Sequence, residues 1–154
     1  MCIRDSNKSG IRGIILSGGP LNVYQSKKVK FRRELFEWSI PILGICFGHQ
    51  VISKELGGKV KKAKHREFGL AKLSRIKNSR LTQNFFNKSG SNNVWMSHAD
   101  EVTKLAKDFK VIGKTSNAKF CIVENLKKKF ANSKFYGFDP IVTKIELKKS
   151  ANKL

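Results

Sequence analysis

A chain of 154 residues with 40% hydrophobic residues is long enough for one domain with a real buried core. No run is long enough to span a bilayer, residues 1–6 lack the apolar segment of a secretory leader, and three scattered cysteines cannot make a paired disulfide framework, so a reducing cytoplasm is the expected compartment. The formal charge of +21 raises nucleic acid as a partner through counterion release, yet the lysines are dispersed from Lys27 to Lys153 without a basic arm, stacking motif or helix-turn-helix spacing, so compositional bias explains the charge better.

Residues 11–16 form a short β-branched strand that ends in Ser17-Gly18-Gly19-Pro20, a turn whose glycines let backbone N–H groups approach a ligand. A loop follows, and apolar residues at Val29, Phe31, Leu35, Phe36 and Trp38 predict a helix over 28–38 packed by one face. Residues 40–45 are apolar throughout, as a buried parallel strand should be. A helix over 47–56 comes next, stopped by Gly57-Gly58 in the manner of a C-terminal cap. Residues 59–64 and 69–76 read as strands of a hairpin or small second layer, and 93–96 as a strand leading into a polar loop, 97–101. Three further strands, 111–116, 119–125 and 134–138, follow in meander style. The expected fold is α/β, an open and mostly parallel sheet flanked by helices with a small antiparallel addition. The chain divides into an atypical segment 1–10, a domain over 11–146 and a Lys-rich tail over 147–154.

The sequence Gly44-Ile45-Cys46-Phe47-Gly48 places a thiol between the apolar strand and the following helix, the arrangement of a nucleophile elbow. Such a turn is crowded and leaves little room for a β-carbon on either side of the nucleophile, hence the glycines. The helix N-terminus favours the thiolate through unpaired N–H groups and the helix dipole.

Each feature alone has an ordinary structural reading. A lone Gly-x-Cys-x-Gly is often a buried thiol at a tight turn; Cys121 belongs to an apolar strand and reads as core, and Cys2 reads as incidental. Ser17 to Pro20 by itself is a turn, Trp95 beside Met96 is expected in the core, and His98 with Asp100 could be a hydrogen-bonded loop pair. Clusters of Cys, His, Asp and Glu are too few to suggest a metal site.

Taken in order, Ser17-Gly18-Gly19-Pro20, Pro41 through Gln50, Arg66-Glu67-Phe68-Gly69 and Val94 through Asp100 resemble the class I glutamine amidotransferases, over about residues 11–143. The spacing, and Trp95-Met96-Ser97-His98 above all, resembles the amidotransferase domains of GMP synthases in particular. The resemblance implies a flavodoxin-like sheet and glutamine as substrate. Cys46 would then be the nucleophile that forms a γ-glutamyl thioester, with the backbone N–H of Phe47 and a glycine N–H from Gly18 or Gly19 as the oxyanion hole. Gln50 with Ser97, His98 and Asp100 would hold the amino-acid end of glutamine. The resemblance implies no cofactor in this domain, and ATP with magnesium in a separate ATP-pyrophosphatase synthetase domain or subunit, which aminates xanthosine monophosphate to GMP in purine biosynthesis.

This sequence departs from the pattern at its end. The family carries Gln-Phe-His-Pro-Glu where this chain reads Asp139-Pro140-Ile141, so alignment on Pro140 puts Asp139 in the position of the catalytic His and Ile141 in that of the Glu that orients it. His49, His65 and His98 do not match the family's base. Without an imidazole to pass a proton to departing ammonia, turnover is expected to fall by about 10²–10⁴-fold. The family also has a first βα unit of roughly 30 residues before Ser-Gly-Gly-Pro, which residues 1–10 do not resemble. A truncated or misassembled reading frame accounts for both ends and is weighed above a natural pseudoenzyme; it would leave an exposed sheet edge. Two other functions stay open: a catalytically silent glutamine-binding or regulatory subunit, and a basic nucleic-acid-binding protein.

Overall fold

The computed structural model describes residues 10–19, 23, 32–126 and 135–138. They form a seven-stranded sheet from β1 (Ile14–Leu16), β2 (Ile42–Ile45), β3 (Lys59–Arg75), β4 (Ser91–Lys104), β5 (Lys110–Lys114), β6 (Ile122–Asn125) and β7 (Phe135–Phe138). The spatial order is β1-β2-β7-β6-β5-β3-β4, and the helix α1 (Phe47–Glu55) leaves β2 directly. β1, β2 and β7 run parallel, with Ile14 opposite Ile42 and Gly44 opposite Gly137. From β7 onward every pairing is antiparallel. The α/β class therefore holds, while the antiparallel part, formed by β6, β5, β3 and β4, is larger than the small addition expected. Strands β5, β6 and β7 make the expected meander, each within its predicted span except for one extra residue, Lys110, at the start of β5.

Two cores lie on this sheet. Ile14, Phe36, Ile42 and Ile52 pack where α1 covers the parallel strands, and Leu73, Val94, Met96, Ile112, Ala118, Cys121 and Ile122 pack beside the antiparallel ones. Cys121 is thus a core residue, fully buried. Helix α1 ends as its glycines predict. Gly57 takes φ +95°, its N–H donates to the Lys54 carbonyl at 3.1 Å, and the Gly58 N–H reaches back to the Ser53 carbonyl at 2.7 Å, the paired bonds of a Schellman cap.

Three expectations are corrected. Over the described part of 28–38 the chain forms only a 3₁₀ turn, Arg33–Glu37, and Trp38 then becomes extended at φ −74°, ψ 127°. The chain must enter Pro41 from an extended residue, which leaves little length for an α-helix. Residues 59–64 and 69–76 are not the two arms of a hairpin but, up to Arg75, stretches of the single strand β3. Lys62 faces Asp100 and Glu67 faces His98, so four residues of β3 stand against Ala99 alone and the break in pattern is a bulge in the ladder rather than a turn. Likewise 97–101 is not a loop. It continues β4 to Lys104, because its backbone groups find partners on β3. The alternation was present in the sequence: Val94, Met96 and His98 point inward while Asn93, Trp95 and Ser97 point out. Trp95 is accordingly half exposed instead of core. The segment 1–9, residues 28–31, Asp139, Ile141 and the tail 147–154 lie outside the described residues. No helix among the described residues is long and apolar enough to cross a membrane.

Candidate active site

Cys46 stands between β2 and α1 with φ 51° and ψ −110°, a region that a non-glycine residue occupies only under strain. The neighbouring glycines make this turn possible. A β-carbon on Gly44 would come within 2.6 Å of the Gly48 carbonyl carbon and the His49 nitrogen, and one on Gly48 would lie 2.6 Å from the Leu16 carbonyl carbon and closer still to its oxygen. Backbone therefore packs on backbone at β1, β2 and the first turn of α1. The thiol is half-buried and not in a disulfide.

The glycine turn after β1 reaches this elbow. A β-carbon at Gly18 would sit 3.6 Å from Cys46 Cβ, and one at Gly19 would sit 3.9 Å from Phe47 Cδ1. Gly18, Gly19, Cys46 and Phe47 are thus gathered at the C-terminal ends of two parallel strands, where open α/β sheets bind ligands. Gln50 begins the helical ladder with its N–H to the Cys46 carbonyl at 3.1 Å, and its side-chain Nε2 donates to the Asp100 carbonyl at 3.2 Å. This bond brings β4 against the elbow helix one turn past the thiol. Ser97 and His98 separate, since strand alternation exposes Ser97 and buries His98. Any contact of Ser97 on the His98 side must go through its backbone.

Below Gln50, His98 Nε2 lies 3.5 Å from Glu67 Oε2, both side chains being more than nine-tenths buried. Glu67 accepts from Thr115 Oγ1 at 3.0 Å and from Asn117 Nδ2 at 3.5 Å. His49 is fully buried, and neither ring nitrogen has a hydrogen-bond partner among the described residues. Burial, with His98 as a lesser cause, pushes its pKa down to about 4. The imidazole is neutral at pH 7, packed against Gly137, where a β-carbon would strike its ring. It is a core group, shut off from solvent. Among the described residues no three of His, Cys, Asp or Glu are placed to hold a metal ion.

The family profile Glutamine amidotransferase class-I matches residues 2–136. This chain belongs to the class I glutamine amidotransferases. Within that family it is similar to the GMP synthase [glutamine-hydrolyzing] of Wigglesworthia glossinidia brevipalpis, 40% identical over 147 residues, covering 90% of this chain and 27% of that protein. The GMP synthase of Brachyspira hyodysenteriae is 39% identical over 125 residues, 81% of this chain and 24% of the relative. This amidotransferase chain spans about a quarter of the length of these curated relatives. The solved structure of a candidate GMP synthase component from Thermoplasma acidophilum superposes with a TM-score of 0.67 at 29% identity, covering 86% of this chain and 63% of that one. A Thermotoga maritima glutamine amidotransferase structure, at TM-score 0.69 and 20% identity over 92% of this chain and 61% of its own, shares the fold.

Sequence reasoning on this amidotransferase missed Glu67, Thr115, Asn117 and the burial of His49. Glu67 was in view within Arg66-Glu67-Phe68-Gly69, but its facing residue depends on a bulge that no spacing rule announces. Thr115 and Asn117 join it from nearly fifty residues away.

Proposed function

We propose that this chain is the glutaminase part of a glutamine-hydrolysing GMP synthase, working in the cytoplasm. Support comes from the family membership, the GMP synthase relatives and, above all, the strained Cys46 elbow with Gly18, Gly19 and Phe47 around it. The Cys46 thiolate attacks the side-chain carbonyl of glutamine, and the oxyanion is met by the Phe47 N–H and a glycine N–H of the Gly18-Gly19 turn. The C–N bond breaks, ammonia leaves with an added proton, and the γ-glutamyl thioester is hydrolysed by water to glutamate and the free thiol. Gln50, His98 and Asp100, with the backbone of Ser97, hold the amino-acid end. Ammonia passes to a synthetase domain or subunit, which binds ATP and magnesium and aminates xanthosine monophosphate.

With Asp139 and Ile141 at the positions of the family's His and Glu, the proton step is impaired. Those positions also favour a second reading, a silent glutamine-binding subunit. Release of ammonia and glutamate from glutamine, measured for the chain, for Cys46→Ala and for a version with Gln-Phe-His-Pro-Glu restored after Phe138, separates the two. The restored chain is expected to turn over about 10²–10⁴ times faster than the parent, with all activity lost in Cys46→Ala. A restored chain without Cys46-dependent activity would overturn the proposal. A parent chain that binds glutamine without hydrolysing it would favour the silent subunit.

A further inference from the structure

The β3 bulge delivers Glu67 opposite His98 on the buried face of the β3/β4 ribbon, where the two residues are only 8% and 6% exposed. A carboxylate is costly to bury unless its oxygens are partnered. Here Oε2 accepts from the Thr115 hydroxyl at 3.0 Å and stands 3.5 Å from His98, while Oε1 stands 3.5 Å from Asn117 Nδ2. Thr115 is itself fixed, because its Oγ1 accepts from the Ala118 N–H at 3.0 Å and its own N–H donates to the Ala118 carbonyl at 3.0 Å. The carboxylate is therefore tied to a closed turn after β5 as well as to its own strand. His98 in turn lies two residues before Asp100, whose carbonyl receives the Gln50 side chain. A continuous line of contacts runs from the 115–118 turn through Glu67 and His98 to the segment facing Gln50.

We propose that Glu67 is a positioning residue for glutamine: held by Thr115, it fixes His98 and so sets the β4 segment that grips the amino-acid end of the substrate against Gln50. This rests on the reading of His98, Asp100 and Gln50 as the substrate grip. The hydrogen bonds and ion pair of Glu67 go to Thr115, Asn117 and His98 rather than to the elbow, so its effect falls on affinity and not on the reactivity of Cys46. The 3.5 Å separation from His98 is longer than a well-made hydrogen bond. Apo sites often show such lengths and tighten when substrate docks.

Two alkylating agents distinguish these effects in the full chain. A glutamine-shaped chloroketone must occupy the substrate grip before it reacts with Cys46, whereas iodoacetamide needs only an accessible thiolate. Labelling of the Cys46 peptide, followed by mass spectrometry after digestion, gives a half-saturating concentration and a limiting rate. Glu67→Gln is expected to raise the half-saturating chloroketone concentration about tenfold, the scale of a hydrogen bond to a charged group. The limiting rate and the iodoacetamide rate should change by less than about twofold. Thr115→Val is expected to weaken half-saturation in the same direction, and Thr115→Ser, which keeps the hydroxyl, to behave as the parent; this pair carries the test if Glu67→Gln does not fold. Unchanged half-saturation in folded Glu67→Gln or Thr115→Val, or an equal fall in iodoacetamide labelling, would overturn the positioning role. A parent chain labelled by the chloroketone without saturation would instead overturn the glutamine-site reading on which it rests.

Discussion

Substituting Gly48 by Ala sets two known effects against each other. In a helix interior Ala is favoured over Gly by about 1 kcal/mol, so a position in the first turn of α1 would ordinarily gain. The packing of this helix reverses that expectation. The added methyl would stand 2.6 Å from the Leu16 carbonyl carbon and 2.8 Å from Leu16 Cβ, and nearer still to the carbonyl oxygen. Two of these three atoms are backbone of β1, so no rotamer change can relieve the clash; the strand and the helix must part. Forcing a methylene into a well-packed core costs about 1–3 kcal/mol where side chains can adjust, and a backbone obstacle belongs at or above the top of that range. The net expectation is a loss of about 2 kcal/mol or more, which lowers a urea midpoint by about 1 M at the slope of a small domain. Gly57→Ala serves as the contrast. Its φ is +95° with nothing within 4 Å, so only backbone strain of about 1–2 kcal/mol opposes it. Equilibrium urea unfolding followed by circular dichroism compares the three proteins. A Gly48→Ala chain as stable as the parent, or less affected than Gly57→Ala, would refute the close seating of α1 on β1 and the elbow geometry that depends on it.

His49 titrates near pH 4 in the folded chain and near 6.5 when unfolded. Below pH 6.5 the unfolded state takes up a proton that the folded state refuses, so stability from this group is complete above that pH and is lost as pH falls toward 4, by up to about 3 kcal/mol. His49→Met should remove that part of the slope between pH 7 and 4.5; an unchanged slope in urea titrations would show that His49 is not held neutral. Cys46→Gly should abolish labelling by the glutamine-shaped chloroketone yet raise stability by about 1 kcal/mol, since relief of about 1–3 kcal/mol of strain exceeds the entropy cost of glycine. A lower thermal midpoint in that variant would mean that Cys46 is unstrained. Leu73 is fully buried while Leu70 is 70% exposed on the same strand, so Leu73→Ala should cost about 3–5 kcal/mol and Leu70→Ala less than about 0.5. Equal effects in unfolding experiments would mean that β3 presents its faces the other way.

The elbow could be read in the sequence because its signature is one contiguous word. Gly44 is crowded by Gly48 and His49, a few positions on, and the apolar run into Cys46 requires a strand wherever it is placed; the partner that crowds Gly48, Leu16, was not legible in that word. The Gly57-Gly58 stop is local in the same way, and so are the approximate positions of β1, β2 and α1. The antiparallel ribbon was harder to read. Residues 97–101 are polar enough to look like a loop, yet they pair with Lys61, Lys62, Glu67 and Phe68 on β3, and 63–66 break the alternation because the ladder shifts register there. Residues 28–38 show the converse, since an apolar pattern suited to a helix gave only a 3₁₀ turn over its described part before Pro41.

By itself, then, the sequence determined a strand-turn-helix with a thiol at its corner, a glycine turn able to meet it, and membership of a family whose motifs are contiguous words. Those features are written in contiguous words, although the seating of Gly48 on Leu16 and of Gly18 on Cys46 needs β1 beside β2. Tertiary structure decided which side chains share a face and which are buried. Ser97 and His98 diverge although they are adjacent, His49 is neutral although it sits one turn from the nucleophile, and Glu67 meets His98, Thr115 and Asn117 across as many as fifty residues. Strand register, bulges and desolvation arise from pairing between distant segments, and no spacing within one segment encodes them.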